Sequence, residues 1–232
     1  MSTPPSVEAL VAEALRDRPR SSDLEARLVV YVEALLETNQ SINLVSRRNT
    51  AQHVARFTRE SLFLAQQLGS TSERGGEPAT LLDLGSGGGF PGMVVKLALP
   101  DLQVTLVEGT QKKARFLADV CQRLDLRGIK VLWARAEALA DRDSSYFKPE
   151  LRHHFDWVTA KALGSIAESI RLAAPFLRLG GIHWIFKGER YEQELRSARR
   201  RMRQMRLETL RSIPVPGSEK SYLVAIKQLE RS

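Results

Sequence analysis

The chain has 232 residues and a mass of 26.0 kDa, with 43% hydrophobic and 27% charged residues, a balance that builds a folded core and excludes a disordered chain. Lys plus Arg number 35 against 27 Asp plus Glu, leaving a formal charge of +8 and a sequence pI near 9.9, which favours a polyanionic partner, nucleic acid or an acidic membrane surface. A single cysteine, Cys121, excludes an internal disulfide and a Cys-rich zinc site and points to a reducing, cytoplasmic setting.

Residues 1–20 read as a loosely tethered arm, bracketed by Pro4, Pro5 and Pro19, with a short helical pattern at Val7, Leu10, Val11, Ala14 and Leu15. Glu8 and Glu13 interrupt its apolar stretch, which does not suit a secretory signal. No run reaches the roughly 18 uncharged apolar residues of a membrane span. A second helix starts at Ser22, where Ser22 and Glu25 have capping-box spacing, and continues through Leu28, Tyr31, Val32, Leu35 and Leu36. A third covers residues 50–68, and Gly69 to Pro78 is a polar linker.

Beyond Pro78 the period changes. Strand patterns at Thr80–Leu84, Leu102–Val107, Ile129–Trp133, Phe155–Ala160 and Ile182–Phe186 alternate with helical patterns at Val94–Leu99, Lys112–Leu124, Ile166–Leu177 and Glu189–Leu207. Gly180 and Gly181 are read as a turn, and Trp133, Trp157 and Trp184 as core. Such alternation predicts βαβ units and an open, mostly parallel α/β sheet. Two last strands, Glu208–Ile213 and Tyr222–Ile226, are joined too closely for a parallel crossover and should form an antiparallel hairpin. The division is therefore a helical cap over residues 1–77 and an α/β domain over 78–232. His53, His153, His154 and His183 lack metal-ligand spacing, so no metal is expected.

The sharpest local signal is Leu81-Leu-Asp83-Leu-Gly85-Ser86-Gly87-Gly-Gly89-Phe90-Pro91-Gly92, at the end of the first strand. Glycines there permit close approach of a ligand, and Pro91 suits a helix start. Gly87-x-Gly89-x-x-Gly92 satisfies the dinucleotide string, so a nicotinamide-dependent oxidoreductase stays open. Asp83, two residues before Gly85, argues the other way: a carboxylate at the mouth of the loop would repel a pyrophosphate and suit the ammonium and sulfonium of S-adenosylmethionine. Glu108 ends the second strand, placed to accept ribose hydroxyl protons, and Ala134-Arg135-Ala136-Glu137 follows the third strand, where the adenine edge would lie.

These residues resemble a family. Asp83-Leu-Gly-Ser-Gly-Gly-Gly-Phe-Pro-Gly92 is similar to the first motif of the bacterial 16S ribosomal RNA guanine-N7 methyltransferases, the RsmG (GidB) family, and the Phe-Pro-Gly ending is specific to it. The resemblance continues through Leu106-Val-Glu-Gly-Thr-Gln-Lys-Lys-Ala-Arg-Phe-Leu117, Asn43-Leu44, Arg56…Glu60-Ser61-Leu62, Ala160-Lys161-Ala162 and Phe186-Lys187-Gly188, and covers roughly residues 40–227. It implies a Rossmann-like class I methyltransferase fold with S-adenosylmethionine as cofactor, bound by Gly85, Phe90, Ala136, Glu137 and Lys161, with Glu108 at the ribose position. Asp83, Ser86, Gly87 and Gly89 complete the expected cofactor loop. Two departures stand out: Lys161 replaces an arginine and loses its planar fork, and Phe57-Thr-Arg-Glu-Ser61 replaces His-Ile-Leu-Asp-Ser, so that Phe57 cannot hydrogen-bond.

The charged helix carries Arg196, Arg199, Arg200 and Arg203 on one face at 100° per residue. With Arg47, Arg56, Lys112 and Arg115 they are candidates for binding ribosomal RNA, as are Asn43 and Lys187; Asn43 reads equally as a helix cap and Lys187 as a strand-end charge. The reaction the resemblance implies is methyl transfer to guanine N7 in 16S ribosomal RNA or the small subunit. N7 is unprotonated at neutral pH, so no general base is expected and no catalytic residue is nominated. The chain is expected to act as a monomer in the cytoplasm. A methyltransferase acting on a protein or small molecule, and a non-catalytic RNA-binding module, are the remaining alternatives.

Overall fold

A computed structural model describes residues 5–16, 21–69, 77–161, 164–218 and 220–229. The ends of the expected arm at 1–4 and 17–20, most of the Gly69–Pro78 linker and Ala162 lie outside the described residues.

Three helices come first: α1 (Val7–Ala14), α2 (Ser22–Asn39) and α3 (Thr50–Gly69). The cap of α2 lies one residue earlier than expected. Ser21 has the extended backbone a cap requires, φ −123° and ψ 114°, and its Oγ accepts from the Leu24 amide at 3.4 Å; Ser22 is already helical. Two adjacent serines offer the same oxygen, and the backbone turn chooses between them.

The rest alternates strand and helix: β1 (Thr80–Leu84), α4 (Gly92–Ala98), β2 (Gln103–Glu108), α5 (Gln111–Arg123), β3 (Ile129–Trp133), α6 (Ala136–Ala140), β4 (Phe155–Ala160), α7 (Ile166–Ala173), β5 (Leu177–Lys187), α8 (Tyr191–Gln204), β6 (Leu207–Pro214) and β7 (Tyr222–Gln228). They form one seven-stranded sheet in the order β3-β2-β1-β4-β5-β7-β6. The first five strands pair in parallel, and β7 pairs antiparallel to both β5 and β6, as the short β6–β7 connection requires.

Two expectations fail around residues 173–187. The helix α7 stops at Ala173, and β5 runs through Gly180 and Gly181 instead of turning there. The glycines occupy an irregularity in β4–β5 pairing, where the register shifts between Phe155 and Trp157. Trp157 and Trp184 are buried, but Trp133 is about half exposed on the edge strand β3, its indole N–H donating to the Gly109 carbonyl at 3.2 Å.

Helices cover both faces. One core joins α1, α2, α3, α4 and α5 to the sheet through residues such as Leu28, Leu64, Val94, Leu106 and Leu117. The other joins α6, α7 and α8 to the opposite face through Leu139, Ile170, Ala198 and Met202. Full burial of a Leu, Ile, Val or Met side chain is worth about 1.5–3 kcal/mol. The first three helices thus share a core with the α/β part.

Candidate functional site

In an open α/β sheet a ligand crevice forms where the strand order reverses, beyond the carboxyl ends of the strands. Here β1 lies between β2 and β4, and its chain leaves as the glycine loop. The Gly85 and Ser86 amides donate to the Val107 carbonyl at 2.9 and 3.0 Å, and the Gly89 amide to Ser86 at 2.7 Å, so the loop is fixed. Gly89 has φ 104°, and a Cβ there would sit 2.9 Å from the Tyr31 hydroxyl, which donates to the Gly88 carbonyl at 2.7 Å. Gly92 starts α4 so close to the sheet that a Cβ would come within 2.7 Å of Asp83 Oδ2.

That packing overturns the expected place of Asp83. Its carboxylate is wholly buried beneath the loop, not at its mouth, and its Oδ2 accepts the Gly92 amide at 3.1 Å. Burial pushes its pKa up to about 7. The inward direction follows from strand alternation: β1 is covered on both faces, so a residue two before the loop faces one helical layer. Asp83 Oδ1 has no hydrogen-bond partner among the described residues.

Two cavities meet at Gly85. The smaller, about 190 Å³, is lined by Gly85, Glu108, Ala136 and Glu137 together with Gly109, Thr110 and Arg135. Glu108 Oε2 accepts the Gly87 amide at 2.9 Å and Oε1 the Thr110 amide at 2.7 Å. Each oxygen keeps acceptor capacity for a hydroxyl. Ala136 and Glu137 open the short helix α6 that follows β3.

The larger cavity, about 500 Å³, is lined by Gly85, Ser86, Gly87, Phe90, Arg56, Phe57, Glu60, Lys161, Phe186, Lys187, Glu194 and Ser221 among others. Lys161 directly follows β4 and its Nζ pairs with Glu60 Oε2 at 2.6 Å. The ammonium lies 3.6 Å from the Phe57 ring centre, 5.4 Å from that of Phe186 and 5.9 Å from that of Phe90. Burial lowers its pKa to about 8 although the Glu60 carboxylate favours the charge. Phe57, which cannot hydrogen-bond, instead offers its π face to the cation. Lys187 Nζ pairs with Glu194 at 2.7 Å and donates to the Gly164 carbonyl at 2.6 Å, so it is more than a strand-end charge.

The expected cofactor residues Gly85, Ser86, Gly87, Phe90, Glu108, Ala136, Glu137 and Lys161 therefore face one cavity or the other, while Asp83 and Gly89 lie behind the loop. The basic candidates are dispersed. Arg56 and Lys187 line the larger cavity. Arg47 donates to the Asn39 and Gln40 carbonyls at the end of α2. Asn43 is exposed in the α2–α3 loop and caps neither helix; that loop is pinned by buried Asn39, whose Oδ1 accepts the Leu44 and Val45 amides at 2.8 and 3.0 Å. Lys112 and Arg115 border a cleft of about 350 Å³ between α2 and α5. Arg199, Arg200 and Arg203 are exposed on α8, across the sheet, and make no ion pair among the described residues.

Glu60 and Phe186 were not foreseen as site residues. The one signal for Glu60 is an acid on the apolar face of α3, near Phe57, Ser61 and Leu64. Among the described residues no His, Cys, Asp or Glu cluster could hold a metal, and no helix is long and apolar enough to cross a membrane.

The donor set fits a nucleoside with a cationic tail: the anchored Glu108 carboxylate faces the smaller cavity, and the orphaned Asp83 oxygen supplies negative potential under the loop that joins the two. Comparisons with known proteins agree. Residues 24–221 match the family described as rRNA small subunit methyltransferase G. A ribosomal RNA small subunit methyltransferase G of Sorangium cellulosum is 40% identical over 173 residues, 75% of this chain and 68% of that protein. One from Chloroflexus aggregans is 33% identical over 213 residues, 91% of this chain and 84% of that protein. In fold, the chain resembles a SAM-dependent methyltransferase from Aquifex aeolicus, with TM-score 0.53, 13% identity and coverage of 74% of this chain and 93% of the other.

Proposed function

The chain belongs to the rRNA small subunit methyltransferase G family and is an S-adenosylmethionine-dependent methyltransferase of ribosomal RNA, and we propose that the acceptor is N7 of a guanine in 16S ribosomal RNA. The observation that carries this reading is the pair of cavities joined at Gly85, one with a carboxylate for a ribose, the other with aromatic walls and room for a base.

When bound, S-adenosylmethionine supplies a methyl group on a positively charged sulfur. Glu108 would hold the ribose hydroxyls, Ala136 and Glu137 would flank the adenine, and Gly85, Ser86, Gly87, Phe90 and Lys161 would shape the passage between the cavities. Gly89 and Asp83 support that passage from behind, Asp83 by pinning the start of α4. Guanine N7 carries its lone pair unprotonated at neutral pH, so the chain's residues need move no proton. Their task is alignment, which can contribute on the order of 7–11 kcal/mol. Phe57, Phe90 and Phe186 wall the acceptor side and keep water from it.

In this reading residues 1–77 act as a helical cap on the methyltransferase domain of residues 78–232. RNA is met by Arg56 and Lys187 at the cavity, with Asn43, Arg47, Lys112, Arg115, Arg199, Arg200 and Arg203 as contacts to its phosphates. The enzyme works as a monomer in the cytoplasm. Tritiated-methyl transfer to RNA or small subunits lacking the modification, followed by nucleoside analysis, tests it: 7-methylguanosine is expected, and label in any other nucleoside alone overturns the acceptor.

A further inference from the structure

Adenine and guanine both carry a free N7, so alignment of N7 by itself does not choose between them. The discriminating atoms are on the other edge. Guanine offers two donors, N1–H and the 2-amino group, beside the O6 acceptor; adenine has an acceptor at N1, a donor at position 6 and nothing at position 2. A site that selects guanine needs a buried acceptor next to a donor.

The larger cavity has that pair. Glu60 is 4% exposed. Its Oε2 receives the Lys161 ammonium at 2.6 Å, but among the described residues its Oε1 has only the Ser221 hydroxyl at 3.3 Å and the Arg56 guanidinium at 4.0 Å. Two carboxylate oxygens accept about four hydrogen bonds, so Glu60 keeps acceptor capacity. Around it stand the Phe57, Phe90 and Phe186 rings, and a hydrogen bond made among them is stronger than one in water. The cavity's other carboxylate, Glu194, is more exposed, and its Oε2 serves both Lys187 and the Ile166 amide.

We infer that Glu60 reads the accepting base, taking the N1–H and 2-amino protons of guanine while the neighbouring Lys161 ammonium meets O6. The inference rests on guanine N7 being the acceptor and names the residue that makes it so. Phe57 and Phe186 exclude water from these bonds, and Ser221 and Arg56 hold Glu60 in place.

The test compares kcat/KM on small-subunit RNA carrying guanosine or inosine at the accepting position. Inosine keeps N7, O6 and N1–H but lacks the 2-amino group. The wild-type enzyme is expected to favour guanosine by about 10- to 100-fold, the worth of one hydrogen bond to a charged group. Glu60→Gln is expected to bring that ratio close to one, and Glu60→Asp to restore part of it. The ratio is internal to each variant, so a partly unfolded preparation or a merely structural role for Glu60 leaves it unmoved. An unchanged ratio in Glu60→Gln, or no preference in the wild type, overturns the inference. Absence of 7-methylguanosine from wild-type reactions instead overturns the acceptor reading on which it rests.

Discussion

The two cavities on either side of Gly85 are assembled by different means. The smaller is made where neighbouring parallel strands end level: Gly85 follows β1, Glu108 closes β2 and Ala136 follows β3, with Leu84 opposite Val107 and Glu108 opposite Trp133. The larger needs α3, the glycine loop and the ends of β4 and β5, with Ser221 from the β6–β7 connection. Hydrogen-bond register alone builds the first. The second depends on segments as far apart as Glu60, Lys161 and Ser221 packing to one point. The smaller cavity is therefore fixed by sheet geometry, and the larger by side chains that can be exchanged without disturbing the sheet.

That contrast can be broken most sharply at Glu108. Glu108→Ala removes the acceptor of the Gly87 and Thr110 amides and the proposed ribose contact together, and is expected to weaken S-adenosylhomocysteine binding by about 100-fold in calorimetry. A loss below tenfold would place the nucleoside elsewhere. On the acceptor side, Phe57→Leu keeps apolar volume but removes the ring under Lys161, and should lower kcat/KM for RNA by roughly tenfold, with S-adenosylhomocysteine affinity less affected. Next comes the outer surface. Replacing Arg199, Arg200 and Arg203 with alanine should reduce the slope of log affinity against log salt by about two, and the same measurement on a Lys112→Ala, Arg115→Ala variant reports which face of the sheet meets RNA.

A further expected effect is on pH dependence. With the Asp83 carboxyl near 7 in the fold and 3.8 as its ordinary value, the folded state holds more protons than the unfolded state between those values. Stability should therefore fall as pH rises through that window and level off above it, and urea midpoints of Asp83→Asn should lack this decline. Affinity for the sulfonium cofactor should rise a few-fold as the pH passes about 7 and Asp83 ionises.

The central strands were legible because they are buried on both faces and read as short apolar runs; Thr80–Leu84 and Phe155–Ala160 coincide with their strands, as does the less buried edge strand Ile129–Trp133. Glu108 and the glycine loop were legible because a strand end fixes where a side chain goes. Local choices between equivalent neighbours were not: Ser21 and Ser22 differ only in backbone angle, and Gly180–Gly181 serves a strand irregularity as readily as a turn. Asp83 was assigned the right loop and the wrong direction, since a spacing does not say which layer of helices a carboxylate faces. Glu60, 101 residues from its lysine partner, leaves no mark in a linear pattern beyond one acid on an apolar helix face.

The order in which the ribosome makes the strands differs from the order in which they lie. β7 is translated after β6 yet sits between it and β5. Until residues 222–228 leave the exit tunnel, β5 has a bare edge and β6 has no partner in the sheet. The larger cavity, which takes Ser221 from the β6–β7 connection, is complete only once that final hairpin closes.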